Sequence, residues 1–290
     1  MSELVDLHVH SNASDGTCSP EEVVHLALDA HLYSIALTDH DTVAGIEKAQ
    51  QAALHTSLEV IPGIELSCSY HDRDIHILGL FLDFQNPILQ RELELIQEIR
   101  NQRNREMIRR FASDGILITE ESLYQGNPNM IITRAHFANA LLSLGIVKNR
   151  DSAFRQYLNP SSRYYIPKQD LTPQKAMELL RKSHAFPVLA HPLQYKLDRP
   201  DLLHLIQKLK DLGLMGLECF HSSNNSYESS VLCGIARQYH LLPTGGSDFH
   251  GDNKPDIYIG RGRGGLRVSK PLLDDIKHQY QLTFPEYSKR

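Results

Sequence analysis

A parallel α/β architecture is predicted by three observations along the 290 residues. A strand–helix alternation opens the chain, the same rhythm returns near its end, and a helical, more polar stretch separates the two. The first strand is LVDLHVH, residues 4–10, and its Asp6, His8 and His10 share one face because side chains alternate with period two. SPEEVVHLALDAH follows as a helix. Ser19 suits its N-cap, Pro20 its first position and Glu22 a capping box, while Val23, Val24, Ala27 and Leu28 supply the buried stripe. SIALTDH is the second strand and TVAGIEKAQQAALH the next helix. LEVIPGIELSC and DIHILGLFL are the third and fourth strands. From about Pro87 to Tyr165 no strand-like run interrupts the helical pattern, with NPILQRELELIQEIRNQRNREMIRRFASDG as one long helix and ITRAHFANALLSLG and RDSAFRQYL as shorter ones. PVLAHP, MGLECFH and LPTGGSDFH complete a set of seven candidate strands, with helices at DLLHLIQKLKDLG and SYESSVLCGIARQYH.

Composition sets bounds on function. The chain is 41% hydrophobic and 22% charged, as an ordinary globular protein is, and its net charge of −5 provides no global basic field for nucleic acid or anionic membrane. Cys18, Cys68, Cys219 and Cys233 form no CxxC pair and read as reduced thiols. No secretory leader is visible and no run approaches the ~20 apolar residues of a membrane helix, so a cytoplasmic protein is expected. Histidine is over-supplied, at 16 residues against no tryptophan. It is the commonest metal ligand and a proton shuttle near neutral pH.

Polar clusters sit at the strand ends: His8 and His10, Asp39-His40-Asp41, Glu65, His76, His191, and Asp248 with His250. In parallel β/α folds those ends form the active face. Together the clusters offer imidazole nitrogen and carboxylate oxygen without thiolate, which suits Zn, Mn or Fe. There are more donors than one ion can use, so two or three divalent ions are expected.

The ordered motifs DLHVH, SDG (Ser14–Gly16), LTDHD, PGIE, HILG, AHP and GSDFH resemble those of the PHP (polymerase and histidinol phosphatase) family across essentially the whole chain. The resemblance implies a distorted (β/α)7 barrel, TIM-barrel-like, formed by residues 1–86 and 166–290, with residues 87–165 as a helical insertion that covers substrate. It implies a trinuclear site hydrolysing a phosphate ester by attack of a hydroxide that bridges two ions. His8, His10, Glu65 and Asp248 would hold one ion. Glu65, His76 and His191 would hold the second, and Asp15, His40 and His250 the third. Asp15 in place of histidine resembles the branch of 3′,5′-nucleoside bisphosphate phosphatases and a related 5′→3′ exoribonuclease. TRxHxA (Thr133–Ala138) and YYIPK (Tyr164–Lys168) resemble segments of that branch, which suggests Arg134 and Lys168 as phosphate contacts and His136 as pocket lining.

Arg261, in IGRGRGG beside Asp248 and His250, is a further substrate-binding candidate. Asp6 is expected to orient a metal-binding histidine, and Asp39 and Asp41 to do the same for His40. His191, His221 or a metal-bound water is expected to protonate the leaving oxygen, and the sequence does not choose among them. The expected substrate is a small nucleotide, most of all the 3′-phosphate of a 3′,5′-bisphosphate. The alternatives are exonucleolytic cleavage of short RNA 5′ ends, histidinol-phosphatase-like activity, and a non-catalytic metal-stabilised module. The basic stretch at residues 99–110 is the one feature that favours RNA. No DNA-binding module is evident, and nothing in the chain sets the oligomeric state.

Overall fold

The computed structural model describes residues 3–71, 73–124, 130–167, 171–262 and 265–287. Eight strands form one sheet that curls into a nearly closed barrel. They are β1 (Leu4–Val9), β2 (Leu32–Leu37), β3 (Glu59–Tyr70), β4 (Arg73–Leu80), β5 (Phe186–Leu189), β6 (Gly216–His221), β7 (Leu242–Gly246) and β8 (Val268–Ser269), in spatial order β7-β6-β5-β4-β3-β2-β1-β8. The distorted barrel is thus present, with two departures from the sequence reading. β8, a two-residue strand antiparallel to β1, is too short to give a periodic signal. β4 runs antiparallel to both β3 and β5, whereas β1–β3 and β5–β7 pair in parallel.

That reversal matters for chemistry. His76 lies near the start of β4, not at its end, and the antiparallel direction delivers it to the face where β1, β2, β5 and β7 finish. The barrel closes there through two hydrogen bonds, from the His10 amide to the Phe249 carbonyl (3.0 Å) and from the Asp248 amide to the His8 carbonyl (2.9 Å). Gly246 permits this approach, since a Cβ at that position would stand 2.4 Å from the His8 Cβ.

The first helix, α1 (Pro20–Asp29), carries the expected capping box between Ser19 and Glu22. α2 (Ile46–Ala53) follows β2. After β4 come α3 (Pro87–Ser113), α4 (Glu120–Tyr124), α5 (Arg134–Ser143) and α6 (Arg150–Gln156). α7 (Pro173–Lys182), α8 (Arg199–Asp211), α9 (Ser226–Gln238) and α10 (Lys270–Thr283) belong to the barrel wall. α4, α7 and α10 have no counterpart among the segments expected from sequence. No helix among the described residues is long and apolar enough to cross a membrane.

Two apolar layers on the barrel and one within α3–α6 make up most of the core. The α3–α6 core packs Met107, Phe111, Phe137 and Leu141 with Tyr164, whose ring stacks on Phe111 at 4.3 Å. Polar bonds then tie these helices to the barrel. The Ile131 amide donates to the Ala13 carbonyl, and the buried Arg100 of α3 meets the Asp41 carboxylate and the Ser67 hydroxyl. Replacing Asp41 with asparagine keeps the volume but leaves Arg100 uncompensated. A loss of about 3 kcal/mol of unfolding free energy is expected, read as a lower urea midpoint at unchanged slope.

The stretch at residues 99–110 is only partly a basic surface. Arg103 is buried against Asn104, and Arg109 and Arg110 pair with Glu106. Arg105 and Arg109 remain exposed, so only part of the stretch is drawn into the fold.

Candidate metal centre

Glu65 is the hub of the site. Its Oε2 lies 3.3 Å from His8 Nε2, 3.1 Å from His10 Nε2 and 3.1 Å from His40 Nδ1. Its Oε1 lies 2.9 Å from His76 Nδ1 and 3.0 Å from His191 Nε2. One fully buried carboxylate thus faces five imidazoles, divided between its two oxygens. β3 carries Glu65 into the barrel mouth, bridged to His40 just beyond β2 and paired with Leu78 of β4. Asp248 Oδ1 stands 3.7 Å from His8, 3.5 Å from His10 and 3.3 Å from His250. Asp15 Oδ1 stands 3.2 Å from His250 and 3.9 Å from His40. All nine residues singled out as ligands are therefore brought together.

The donor set fits divalent ions. Ring nitrogens face one another, His8 Nε2 to His10 Nε2 at 3.1 Å and His76 Nδ1 to His191 Nε2 at 3.2 Å, so nitrogen donor atoms converge on common space. Asp15 Oδ1, Glu65 Oε2, His10 Nδ1 and His40 Nδ1 are buried without hydrogen-bond geometry to any partner among the described residues. Ligand atoms within 4.8 Å of one another form groups such as His10, Asp15, His40 and His250, or His40, Glu65 and His76. Divalent ions are what these groups support.

Protonation follows from burial and charge. Burial lowers the His10 pKa to about 4, with His250 adding repulsion, and burial likewise holds His40 and His191 below the ordinary imidazole range. These rings are neutral and ready to coordinate. His8 differs: burial opposes its charge, but Glu218, Glu65 and Asp248 outweigh it and hold its pKa well above normal. Burial works against the carboxylate forms of Glu65 and Asp248 too. Surrounding histidines, and Lys254 at 2.5 Å from Asp248 Oδ2, nevertheless keep both well below the usual range.

The supporting shell corrects three expectations. Asp6 does not touch an imidazole. Its Oδ1 accepts the Ser247 and His8 amides (2.8 and 3.3 Å) and its Oδ2 the Gly260 amide (2.7 Å), so it stitches β1 to the loops beyond β7. Asp39 accepts the Ser11 amide, the Ser11 hydroxyl and the Ser14 hydroxyl, which fixes the loop that carries Asp15; burial raises its pKa to about 6. Asp41 accepts the Ser67 amide at 2.9 Å besides Arg100. Neither acid orients His40: Asp39 is spent on Ser11 and Ser14, and Asp41, in left-handed backbone at φ 50°, on Ser67 and Arg100.

The residue that does orient a candidate ligand is Glu218 of β6, which was not anticipated. Its Oε1 lies 2.9 Å from His8 Nδ1 and its Oε2 accepts the His191 amide at 2.6 Å. An acid inside the apolar run GLECF was the available signal. His191 and Asp248 both hold left-handed backbone, at φ 24° and 55°. Such strain clusters where the surrounding structure dictates a side chain's direction.

His221 is buried beside Asp248. Its Nδ1 accepts the Ser223 amide at 3.1 Å, which leaves the proton on Nε2, 3.2 Å from Asp248 Oδ2. Arg134 is held by Asp74 at 2.5 Å and lies over the Tyr165 ring. His136 is buried, and its Nδ1 accepts the Thr133 amide at 3.0 Å. Arg261 is exposed in a turn closed by its amide on the Tyr258 carbonyl, and it takes no part in the close contacts above. Lys168 lies outside the described residues. The other histidines stand apart from the cluster. His25, His31, His55, His204, His240 and His278 are exposed, and His184 stacks on Tyr287.

Comparison with known proteins agrees with this centre. The model of the PHP domain matches residues 6–211. The chain is 34% identical over 263 residues to the 5′-3′ exoribonuclease Rnm of Escherichia coli strain K12, covering 89% of this chain and 88% of that protein. It is 30% identical over 275 residues to the 3′,5′-nucleoside bisphosphate phosphatase of Chromobacterium violaceum, covering 94% and 96%. A solved structure of a candidate metal-dependent phosphoesterase from Bifidobacterium adolescentis superposes with TM-score 0.83 at 28% identity, covering 97% and 96%. The chain belongs to the PHP domain family and is a metal-dependent phosphoesterase.

Proposed function

We propose that the protein hydrolyses the bond between phosphorus and the 3′-oxygen of a nucleotide that also carries a 5′-phosphate, most directly the 3′-phosphate of a nucleoside 3′,5′-bisphosphate. The observation that carries the chemistry is Glu65 facing five histidines through two separate oxygens. On this reading His8, His10, Glu65 and Asp248 hold one ion. Glu65, His76 and His191 hold a second, and Asp15, His40 and His250 a third. Mn, Zn and Fe all suit the donors. Bound ions supply an acidified water and neutralise charge on the phosphoryl oxygens.

The protein's own groups do the rest. His191, with Nε2 turned to Glu65, serves as a ligand and not as an acid. His221 presents an N–H at Nε2 at the edge of the cluster, and we assign it to hydrogen-bond the departing 3′-oxygen, which takes its proton from water. Glu218 fixes the His8 ring and the His191 backbone. The helices of residues 87–165 cover the mouth, and Arg134 at their inner edge would exchange Asp74 for a phosphoryl oxygen. Arg261 is left with a peripheral role in binding, and Lys168 stays a candidate phosphate contact.

A second reading is favoured by the relatives themselves, since the 34% identical one is an exoribonuclease. An exonuclease that releases 5′-nucleotides from a 5′-phosphorylated end breaks the same P–O3′ bond. One pocket therefore serves both, and length of substrate is what separates them. The test supplies the metal-loaded protein with adenosine 3′,5′-bisphosphate and with a 5′-phosphorylated dinucleotide. Release of adenosine 5′-monophosphate from the bisphosphate supports the proposal. Cleavage of the dinucleotide alone would shift it to the nuclease reading.

A further inference from the structure

Arg150 is the unmatched cation at the seam where α5 and α6 meet the barrel. The other guanidiniums that tie these helices to the barrel have acids of their own, Arg100 with Asp41 and Arg134 with Asp74. Arg150 is half-buried, yet among the described residues no carboxylate lies within ion-pair distance of it. Its Nη1 donates to the Asn253 carbonyl, and its Nε is buried with no hydrogen-bond partner. A half-buried guanidinium in that position costs stability unless an anion answers it.

Its surroundings place it beside the candidate metal centre rather than in it. The Asn253 side chain donates to the Asp15 carbonyl at 2.7 Å, and the Asn139 amide donates to Asn253 Oδ1 at 3.1 Å. The Thr133 hydroxyl lies 3.3 Å from Asp15 Oδ2, and His136 is buried next to it. The nearby negative charge acting on Arg150 through space comes from Asp15 and Asp151. Ion binding would claim the Asp15 charge and leave the guanidinium still less compensated. A planar guanidinium with a spare N–H suits a phosphate monoester, which can accept from two of its nitrogens at once.

We propose that Arg150, supported by Asn253, binds the 5′-phosphate of the nucleotide while its 3′-phosphoryl group lies among the nine candidate ligands. This rests on the proposed function for which phosphate is cleaved, but not for the existence of an anion site. It makes Arg150 the residue that distinguishes nucleotides with a 5′-phosphate from those without one, whether the substrate is a bisphosphate or an RNA end.

The test measures equilibrium binding of adenosine 5′-monophosphate and of adenosine to the metal-loaded wild type, Arg150→Gln and Arg150→Lys, with phosphate release from adenosine 3′,5′-bisphosphate assayed in parallel. Arg150→Gln is expected to weaken binding of the monophosphate about tenfold or more and to leave adenosine binding unchanged, with Arg150→Lys in between. Melting curves matching the wild type confirm that both variants fold. If Arg150→Gln binds the monophosphate as the wild type does, or loses adenosine equally, the anion site is refuted. If the wild type binds the monophosphate in an Arg150-dependent way but releases no phosphate from the bisphosphate, the proposed function fails while the site stands.

Discussion

Glu65→Gln is expected to lower kcat by at least about a thousandfold, or about 4 kcal/mol of transition-state free energy. The substitution preserves shape, so packing in the barrel mouth is retained. What changes is charge and donor character. An amide nitrogen would turn one N–H2 group toward either the His8, His10 and His40 set or the His76 and His191 pair. Neutral imidazoles cannot accept from it and still hold an ion. Metal content measured by mass spectrometry should fall in parallel, while the circular dichroism spectrum stays that of the wild type. Retention of near wild-type turnover would remove Glu65 from the centre of the account.

Chelation should have the second largest effect. Stripping divalent ions is expected to abolish hydrolysis and to lower Tm. At a free ion concentration of about a thousand times Kd, binding contributes about 4 kcal/mol to the folded state. For a chain of this size that corresponds to a fall on the order of 8–16 °C. The reason lies in the barrel mouth: Glu65, Asp15 and Asp248 are buried acids, and without ions their compensation is limited to Lys254 beside Asp248, to His8, and to imidazoles that burial keeps neutral. Re-addition of Mn, Zn or Fe should restore both quantities, and the ion that restores most activity identifies the functional metal. An unchanged Tm and rate after verified removal would rule out a structural and catalytic role for ions.

Much of the centre was legible because its donors interrupt apolar strands at regular points. His8, His10, Glu65, Asp248 and His250 stand out against the Val, Ile and Leu runs around them, and alternation alone puts His8 and His10 on one face. Strand direction was not legible. Periodicity carries no sign, so β4 read as another parallel strand, and only pairing with β3 and β5 shows why His76 reaches the shared face. The supporting acids were misassigned for a related reason. Asp39 and Asp41 sit next to His40 in sequence, yet the turn there, with Asp41 at φ 50°, sends them to other partners, while the acid that steadies His8 comes from Glu218, 210 positions away. Arg134 was visible through its motif, but its pairing with Asp74 depends on how α5 folds back over β4. Arg150 had no motif at all. Its interest arises from an absence of nearby acids, which a linear sequence does not display.

The central claim is that this site breaks the P–O3′ bond of a nucleotide bearing a 5′-phosphate. The most direct measurement is the identity of the nucleotide left after the metal-loaded protein acts on adenosine 3′,5′-bisphosphate, resolved by chromatography and mass. Adenosine 5′-monophosphate with one equivalent of inorganic phosphate is the predicted result. Adenosine 3′-monophosphate, or intact substrate with ions confirmed bound, would contradict it.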